Sequence, residues 1–299
     1  MKFDAGGVRQ WGTYYGGINT ESGCHSAIDK FGNVYISGST SSTSSIATSG
    51  SHQFNYGGGS YDAFLVKFDA GGIRQWGTYY GGADEEYEGF CSLDTSGNIY
   101  LSGRTKSTSG IATSNAHQSI YGGDNSYFSS YGDAFLVKFN SNGVRQWGTY
   151  YGGDLEDYGS GCVADVSGNI YLSGMTKSNS GIATSGAFLD SISYNNQKGF
   201  LVKFNSNGIR QWGTYYGGPS YDYILCSATD NFGNVYISGN TQSNSGIATS
   251  GSHQSINSNP NKSKAFLVKF NSNGLRQWGT YYGGGRFLYI KRLFYRRFR

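Results

Sequence analysis

The sequence predicts an all-β protein: a β-propeller of four complete, four-stranded antiparallel blades and part of a fifth blade. The first observation is a repeat, because the string RQWGTYYGG occurs five times at intervals of 65, 71, 65 and 66 residues. The second is composition: 48 glycines among 299 residues and 16% aromatic residues favour short strands joined by tight turns. The third is the lack of any 3.6-residue apolar period typical of a helix. The tryptophans of the repeated string are Trp11, Trp76, Trp147, Trp212 and Trp278.

Three further strings recur between these anchors and supply the remaining strands and turns. The string D-x-x-G-N predicts a hairpin turn, since aspartate can bond its own downstream backbone and glycine accepts a positive φ. It begins at Asp29, Asp94, Asp165 and Asp230. The string F-L-V-K-F predicts a strand, and S-x-I-A-T-S lies in the long connection between the second and third strands. In the first complete copy the predicted strands are residues 24–28, 34–38, 63–68 and 73–80.

The predicted strands carry bulky side chains on both faces, so both faces must be covered. Stacked propeller blades meet this requirement, because each sheet packs between two neighbours. In the fourth strand, for example, Arg74, Trp76 and Tyr80 share one face. Residues present in every copy serve packing rather than an asymmetric catalytic site. We therefore interpret the repeated tryptophans and turn aspartates as structural, and we expect the tryptophans to be buried.

The chain divides into propeller repeats over residues 1–285 and a basic, non-repeat tail over residues 286–299. The N-terminus offers two strands for the incomplete blade. We expect an open propeller fragment. The alternative is a closed five-bladed ring, in which the tail adds two strands to the N-terminal pair. Open ends would expose apolar sheet faces and promote self-association.

The charge distribution argues against a nucleic-acid partner. The net charge is +4, but the tail alone holds six basic residues and no acidic one. Without the tail the chain has 17 basic and 19 acidic residues, so the repeats have no basic excess for a nucleic acid to bind. The sequence contains no run of 18 apolar residues, which is the pattern that would predict a transmembrane helix.

The pattern W-x-T-Y-Y-G-G, an acidic loop, D-x-x-G-N-x-Y-x-S-G and D-A-F-L-V-K-F resembles the bacterial seven-bladed β-propeller (SBBP) repeat of secreted and cell-surface proteins. The resemblance covers residues 1–284. It implies a propeller and an extracellular or cell-surface location, and it implies no catalytic residues. The chain departs from the family in showing fewer blades, no signal peptide and an unrelated tail.

Two acidic segments follow the Gly-Gly of the repeat and are candidates for partner contact. We interpret them as solvated loops and expect no cofactor. Calcium is the alternative, because hard oxygen ligands cluster there, although the D-x-D-x-D-G ligand spacing is missing. The residues are Asp84, Glu85, Glu86 and Glu88 in one segment, and Asp154, Glu156 and Asp157 in the other.

Blade topology places the long connections and the acidic loops on one face of the disc, and the short turns on the other. The first face is the candidate binding face, since variable loops on a constant scaffold commonly bind partners. Its other candidates are His52, His117 and His253, together with Tyr127 and Phe128 in the longest connection. The alternative is that each connection only caps its blade, with Ile46 and its equivalents filling a gap.

We therefore expect a non-catalytic, extracellular binding or adhesion scaffold with a protein or glycan partner. The alternative is a purely structural repeat segment of a larger surface protein. A remote alternative is an enzyme, because the segment D-A-G-G-I-R-Q-W at residues 69–76 resembles the tryptophan repeat of quinone-dependent dehydrogenase propellers.

Overall fold

The computed structural model describes residues 1–123, 132–192, 197–257 and 262–283. These residues form eighteen β-strands and no helix, arranged as one two-stranded and four four-stranded antiparallel sheets. The all-β, propeller-like architecture predicted from the sequence is therefore confirmed. None of the described residues forms a helix long and apolar enough to cross a membrane.

Each four-stranded sheet is one blade, with its strands paired in chain order. A two-stranded sheet of β1 (Lys2–Phe3) and β2 (Arg9–Trp11) precedes the blades. Blade 1 contains β3 (Glu21–Ile28), β4 (Val34–Thr40), β5 (Asp62–Phe68) and β6 (Arg74–Tyr80). Blade 2 contains β7 (Glu86–Leu93), β8 (Ile99–Thr105), β9 (Asp133–Phe139) and β10 (Arg145–Tyr151). Blade 3 contains β11 (Asp157–Ala164), β12 (Ile170–Thr176), β13 (Lys198–Phe204) and β14 (Arg210–Tyr216). Blade 4 contains β15 (Asp222–Thr229), β16 (Val235–Thr241), β17 (Lys264–Phe270) and β18 (Arg276–Tyr282).

The D-x-x-G-N turns form as predicted, because each aspartate binds the backbone of its own turn. Asp29 Oδ1 accepts hydrogen bonds from the amides of Phe31 (2.9 Å) and Asn33 (3.0 Å). Gly32 has a φ of 81°, a conformation that favours glycine. The equivalent bonds recur at Asp94, Asp165 and Asp230.

The first strand of blade 1 is longer than the sequence predicted. In blade 1 it begins at Glu21 instead of residue 24, because Glu21 pairs with Thr40 beyond a register shift between Ser22 and His25. Such a β-bulge adds one residue to a strand and breaks the alternation that sequence patterns rely on. All four first strands carry a shift of this kind.

The hydrophobic core lies between the blades. Leu65 and Tyr80 of blade 1 belong to one fully buried cluster with Leu101, Phe135 and Val137 of blade 2. Equivalent clusters join blade 2 to blade 3 and blade 3 to blade 4. Burial on both faces of a sheet is what the bulky residues on both strand faces predicted.

The two tyrosines of the repeated string bind different partners. Tyr79 donates its hydroxyl to Ser42 O in the long connection of its own blade (2.7 Å). Tyr80 donates its hydroxyl to Ile111 O in the long connection of blade 2 (2.6 Å). The same two bonds recur in the next blades, made by Tyr150, Tyr151, Tyr215 and Tyr216. One tyrosine therefore fixes its own connection, and the other joins its blade to the next.

The repeated tryptophans are half-buried, so the prediction that they are buried is wrong. Trp76 donates its indole N–H to Ser141 O of the next blade (3.2 Å). Its ring lies so close to Gly143 that a Cβ there would be 2.9 Å from the indole. Trp76 sits near the end of β6 that borders a short turn, where its neighbour Arg74 is exposed. The ring therefore covers the turn of the next blade and keeps one side in solvent.

Within the described residues, β1 and β2 pair only with each other. The strand pairing that a closed five-bladed ring requires would involve tail residues outside the described ranges. The β1–β2 sheet is nevertheless attached to blade 1 by the bonds that join complete blades. Trp11 Nε1 donates to Ala70 O (3.0 Å), and the Tyr15 hydroxyl donates to Ile46 O (2.8 Å).

Candidate binding face

The structure brings the long connections and the acidic loops together. In blade 1, the end of the long connection (residues 57–61) lies beside the segment that leads into blade 2 (residues 81–85). A Cβ on Gly57 would be 2.2 Å from the carbonyl oxygen of Gly82, so only glycine permits this approach. The predicted grouping of these two loop types on one side is confirmed. We call these two segments and their equivalents in the other blades the loop face.

The earlier part of each long connection covers the outer edge of the fourth strand. In blade 1 the Thr48 amide donates to Gly77 O (2.9 Å), and the Tyr79 amide donates to Gln53 O (3.1 Å). Ile46 is fully buried, as are its equivalents Ile111, Ile182 and Ile247. The capping alternative therefore holds for this part of the connection. It removes a strand edge that would otherwise present unpaired backbone groups.

Only part of the predicted acidic surface is exposed. Asp84 and Asp154 are exposed on the loop face. Glu85 is half-buried and forms an ion pair with Lys106 at 2.7 Å. Glu88 was expected in a loop, but it lies in β7, is half-buried and has a φ of 62° at the bulge. Burial raises the pKa of the Glu88 carboxyl.

The prediction that Glu86, Glu156 and Asp157 lie in solvated loops is wrong. Glu86 and Asp157 are the first residues of β7 and β11, and both are fully buried. Glu156 is buried as well, and its carboxylate pairs with Lys177 at 2.7 Å. The blade supplies hydrogen-bond donors to Glu86 and Asp157, as where Thr105 Oγ1 donates to Glu86 at 2.6 Å and the Gly153 amide donates to Asp157 at 2.7 Å. Charge alone suggested solvent, but these donors offset part of the cost of burying a carboxylate.

The histidines pack against aromatic rings near the short turns, so their assignment to the binding face is wrong. The His52 ring centroid lies 5.6 Å from that of Phe139 and 6.1 Å from that of Tyr80. Blade 3 has Phe188 at this position with the same two contacts, so ring packing is the property these side chains share. Burial lowers the pKa of His52 to about 4, which keeps the ring neutral at pH 7. The corresponding tyrosine contacts are made by His117 and His253.

Two shallow grooves lie at the rim where the connection of blade 1 meets the short turn of blade 2. One, of about 320 Å³, is lined by Gly50, His52 and residues 142–145. The other, of about 290 Å³, lies beside it along Trp76. Both lie between the earlier part of the connection and the short turns, so they are separate from the loop face.

Two tyrosine rings flank one arginine, and a third tyrosine packs against one of them, where the first strands meet the loop face. Arg104 in β8 pairs across the sheet with Tyr87 in β7. Its guanidinium lies 4.5 Å from the ring centroid of Tyr87 and 5.6 Å from that of Tyr158 in β11. The rings of Tyr61 and Tyr87 have centroids 5.1 Å apart. All four side chains are partly exposed, and we call Tyr61, Tyr87, Arg104 and Tyr158 the tyrosine–arginine cluster.

Sequence analysis did not identify this cluster. Tyr87 and Tyr158 each directly follow the acidic residue that begins a first strand, and this acid–tyrosine pair was the available signal. Because those acids were assigned to loops, the tyrosines that follow them were not recognised as strand residues on one surface. The aromatic anchors that the sequence did suggest, Tyr127 and Phe128, lie outside the described residues.

No group of three or more His, Cys, Asp or Glu side chains that could hold a metal ion is found in the part of the chain that the structure describes. A calcium site here would have to combine fewer carboxylates with backbone and hydroxyl oxygens, which calcium also accepts.

No protein-family model matches the sequence, and no curated protein matches it significantly. Among solved structures, a protein of unknown function from Dyadobacter fermentans DSM 18053 is similar, with a TM-score of 0.48 and 12% sequence identity. The match covers 87% of this chain and 68% of that chain.

Proposed function

We propose that the chain is a non-catalytic binding scaffold at the cell surface or outside the cell, whose loop face receives a protein or glycan partner. The tyrosine–arginine cluster supports this proposal most directly. Tyrosine and arginine are enriched among the residues that carry binding energy, and here two tyrosine rings flank one guanidinium while a third packs against one of them. The resemblance to the SBBP repeat of secreted and cell-surface proteins supports the location.

The scaffold beneath the cluster is constant, whereas the connections beside it vary. From the loop isoleucine to the following F-L-V-K-F phenylalanine, the four copies span 18, 24, 18 and 19 residues. Binding proteins commonly place variable loops on a rigid framework, because the framework fixes the loop positions without limiting their sequence.

The charges around the cluster suit a partner with both polar and apolar groups. Arg104 provides a positive charge at the centre, and the exposed Asp84 and Asp154 provide negative charge at the rim. A polar rim around aromatic contacts is typical of protein recognition surfaces. A glycan also fits, because a sugar ring offers C–H groups to aromatic faces and hydroxyls to charged side chains.

A glycan microarray probed with the purified chain would test this proposal. Tyr87→Ala and Arg104→Ala should each weaken binding to any positive glycan about tenfold or more, which corresponds to about 1.4 kcal/mol or more. Phe31→Ala is the matched control, because Phe31 is 73% exposed on a short turn of the opposite face. Binding that is lost with Phe31→Ala and retained with both cluster variants would contradict the proposal.

The second candidate is a purely structural repeat segment of a larger surface protein. The capping hydrogen bonds favour it, because they assign the earlier part of each long connection to blade edges rather than to a partner. Under this alternative no glycan on the array binds, and the cluster variants change nothing but local packing.

A further inference from the structure

Every junction between two blades brings together the first residue of a third strand and the first residue of the next blade's first strand. At the first junction these are Asp62 and Glu86, and at the second they are Asp133 and Asp157. At the third junction they are Lys198 and Asp222. All six residues are buried. Two junctions therefore pair two acids where the third pairs a base with an acid.

The third junction shows how a positive charge fits this place. Lys198 Nζ lies 3.4 Å from Asp222 Oδ2 and donates to the carbonyl oxygen of Ser220. The lysine stem crosses beside Gly217, where a Cβ would be 2.8 Å from Lys198 Cδ and 2.4 Å from Asp222 Oδ2. The junction thus encloses a cation between a carboxylate and a backbone carbonyl.

The first junction has the same frame without the ammonium group. A Cβ on Gly81 would lie 2.1 Å from Glu86 Oε2 and 2.9 Å from Asp62 Oδ1, so both oxygens point to one place. Asp62 Oδ2 accepts from the Gly57 amide at 2.7 Å. Asp62 Oδ1 is buried and has no hydrogen-bond partner among the described residues. An acceptor in this position, facing a second carboxylate, calls for a cation.

The second junction repeats the arrangement with two aspartates. A Cβ on Gly152 would lie 2.6 Å from Asp157 Oδ2 and 3.0 Å from Asp133 Oδ1. The Gly153 amide and the Ser178 hydroxyl each donate to Asp157 Oδ2 at 2.7 Å. Neighbouring donors orient this carboxylate as they orient Asp222 at the third junction.

The backbone carbonyl that binds the lysine has equivalents at the two acidic junctions. The Ser220 amide donates a hydrogen bond to Ser243 Oγ, which fixes its position. Equivalent bonds fix two other amides: the Asp84 amide donates to Ser107 Oγ, and the Leu155 amide donates to Ser178 Oγ. The carbonyl groups of Asp84 and Leu155 therefore correspond to that of Ser220.

We propose that the first and second junctions each bind one Ca²⁺ ion, which takes the place that the Lys198 ammonium holds at the third. The ligands at the first junction are the carboxylates of Asp62 and Glu86 and the Asp84 carbonyl oxygen. Those at the second are the carboxylates of Asp133 and Asp157 and the Leu155 carbonyl oxygen. Calcium suits such a site because it accepts carboxylate, carbonyl, hydroxyl and water oxygens in flexible geometry.

The raised pKa values of the junction carboxyls agree with a site that lacks a positive charge. Burial, with a smaller contribution from the nearby Asp62 charge, raises the pKa of Glu86 to about 8. Burial likewise raises the pKa of Asp62 to about 6 and that of Asp157 to about 7. Without calcium these three carboxyls therefore hold protons in the folded chain that they release in the unfolded chain, so their contribution to stability should fall as pH rises from about 4.5 to about 8. Burial raises the pKa of the Tyr56, Tyr79 and Tyr150 phenols, and the charges of these nearby acids contribute to the same rise.

The test is calorimetric titration of the EDTA-treated, dialysed chain with Ca²⁺ alone, together with thermal unfolding at pH 5 and pH 8. We expect about two Ca²⁺ ions per chain and, at pH 8, a melting temperature about 5 °C higher with saturating Ca²⁺. At pH 5 the gain should be smaller, because protons compete for the same carboxylates. Unchanged melting at pH 8, with stability that depends on pH alone, would overturn the proposal in favour of shared protons.

Substitutions that exchange the junction types sharpen the test. Asp62→Lys and Asp133→Lys copy the third junction, and each should remove one Ca²⁺ ion. Lys198→Asp copies the acidic junctions and should add one, which keeps the proposal testable if a lysine variant does not fold. Asp190→Asn, at an exposed acid, is the control and should change nothing. Retention of both sites in the Asp62→Lys, Asp133→Lys double variant would overturn the proposal.

Discussion

At the scale of single residues, the second tyrosine of each repeated string is the clearest connection between two blades. The Tyr80 side chain is fully buried, and its hydroxyl reaches the Ile111 carbonyl of the next blade at 2.6 Å. The other donor to this carbonyl, Arg145 Nη1, is at 3.4 Å. The phenol therefore supplies the short hydrogen bond that a buried acceptor requires.

We predict that Tyr80→Phe lowers the free energy of unfolding by about 1–2 kcal/mol, because a buried carbonyl loses its close donor. Urea unfolding would measure the change. Tyr282→Phe is the matched control: Tyr282 is the equivalent residue of blade 4 but is 56% exposed, so its loss should have no measurable effect. Equal losses in the two variants would show that the hydroxyl does not join the blades.

The sequence predicted the positions of the turns correctly, but it did not predict that some acidic residues are buried. Asp29 forms its turn through bonds to its own next few residues, so the local string contains all the information. Glu86 and Asp157 are buried because donors from other strands reach them, and neighbouring letters in the sequence do not show those donors. Charge was the only local signal there, and it pointed to solvent.

At the scale of elements, the long connection behaves as an additional edge element of its blade. Its backbone bonds the outer side of the fourth strand through Thr48 and Gln53, while Ile46 fills the space beneath. The sequence showed that Ile46 recurs, and it left open whether the residue caps a blade. It could not show the capping bonds, because their partners are backbone groups and carry no side-chain signature.

We predict that Ile46→Ala costs about 2–5 kcal/mol of unfolding free energy, as for other fully buried isoleucines. The loss should also loosen the edge of β6, which the connection covers. Ile120→Ala is the control, because Ile120 is 78% exposed in the equivalent connection of blade 2 and should change stability little. Chemical unfolding of both variants would give the comparison. A cost for Ile46→Ala no larger than that of the control would show that the connection does not cap the blade.

At the scale of the whole molecule, each end of the described stack of blades exposes a tyrosine whose equivalent is buried inside the stack. Tyr14 is fully exposed at one end, although its equivalent Tyr79 is buried in blade 1. Tyr282 is more than half exposed at the other end, although its equivalent Tyr80 is buried. These residues mark faces that are covered elsewhere, by the long connection of the same blade at Tyr79 and by the next blade at Tyr80.

We propose that these faces make the chain associate with further copies of itself, since exposed apolar patches favour association. Sedimentation velocity should show species larger than the monomer that increase with concentration. Tyr14→Arg combined with Tyr282→Arg should reduce them, because each places a charge in the face. A single monomeric species over the whole concentration range would contradict the proposal.

Each blade is closed at its edge by its own long connection and stacked on the next blade, and amide hydrogen exchange is the measurement that tests this arrangement. We expect slow exchange, comparable with that of the strands, for four connection amides that bond fourth-strand carbonyls: Thr48, Thr113, Thr184 and Thr249. Exchange of these amides at the rate of an unstructured chain, while the strands remain protected, would contradict it.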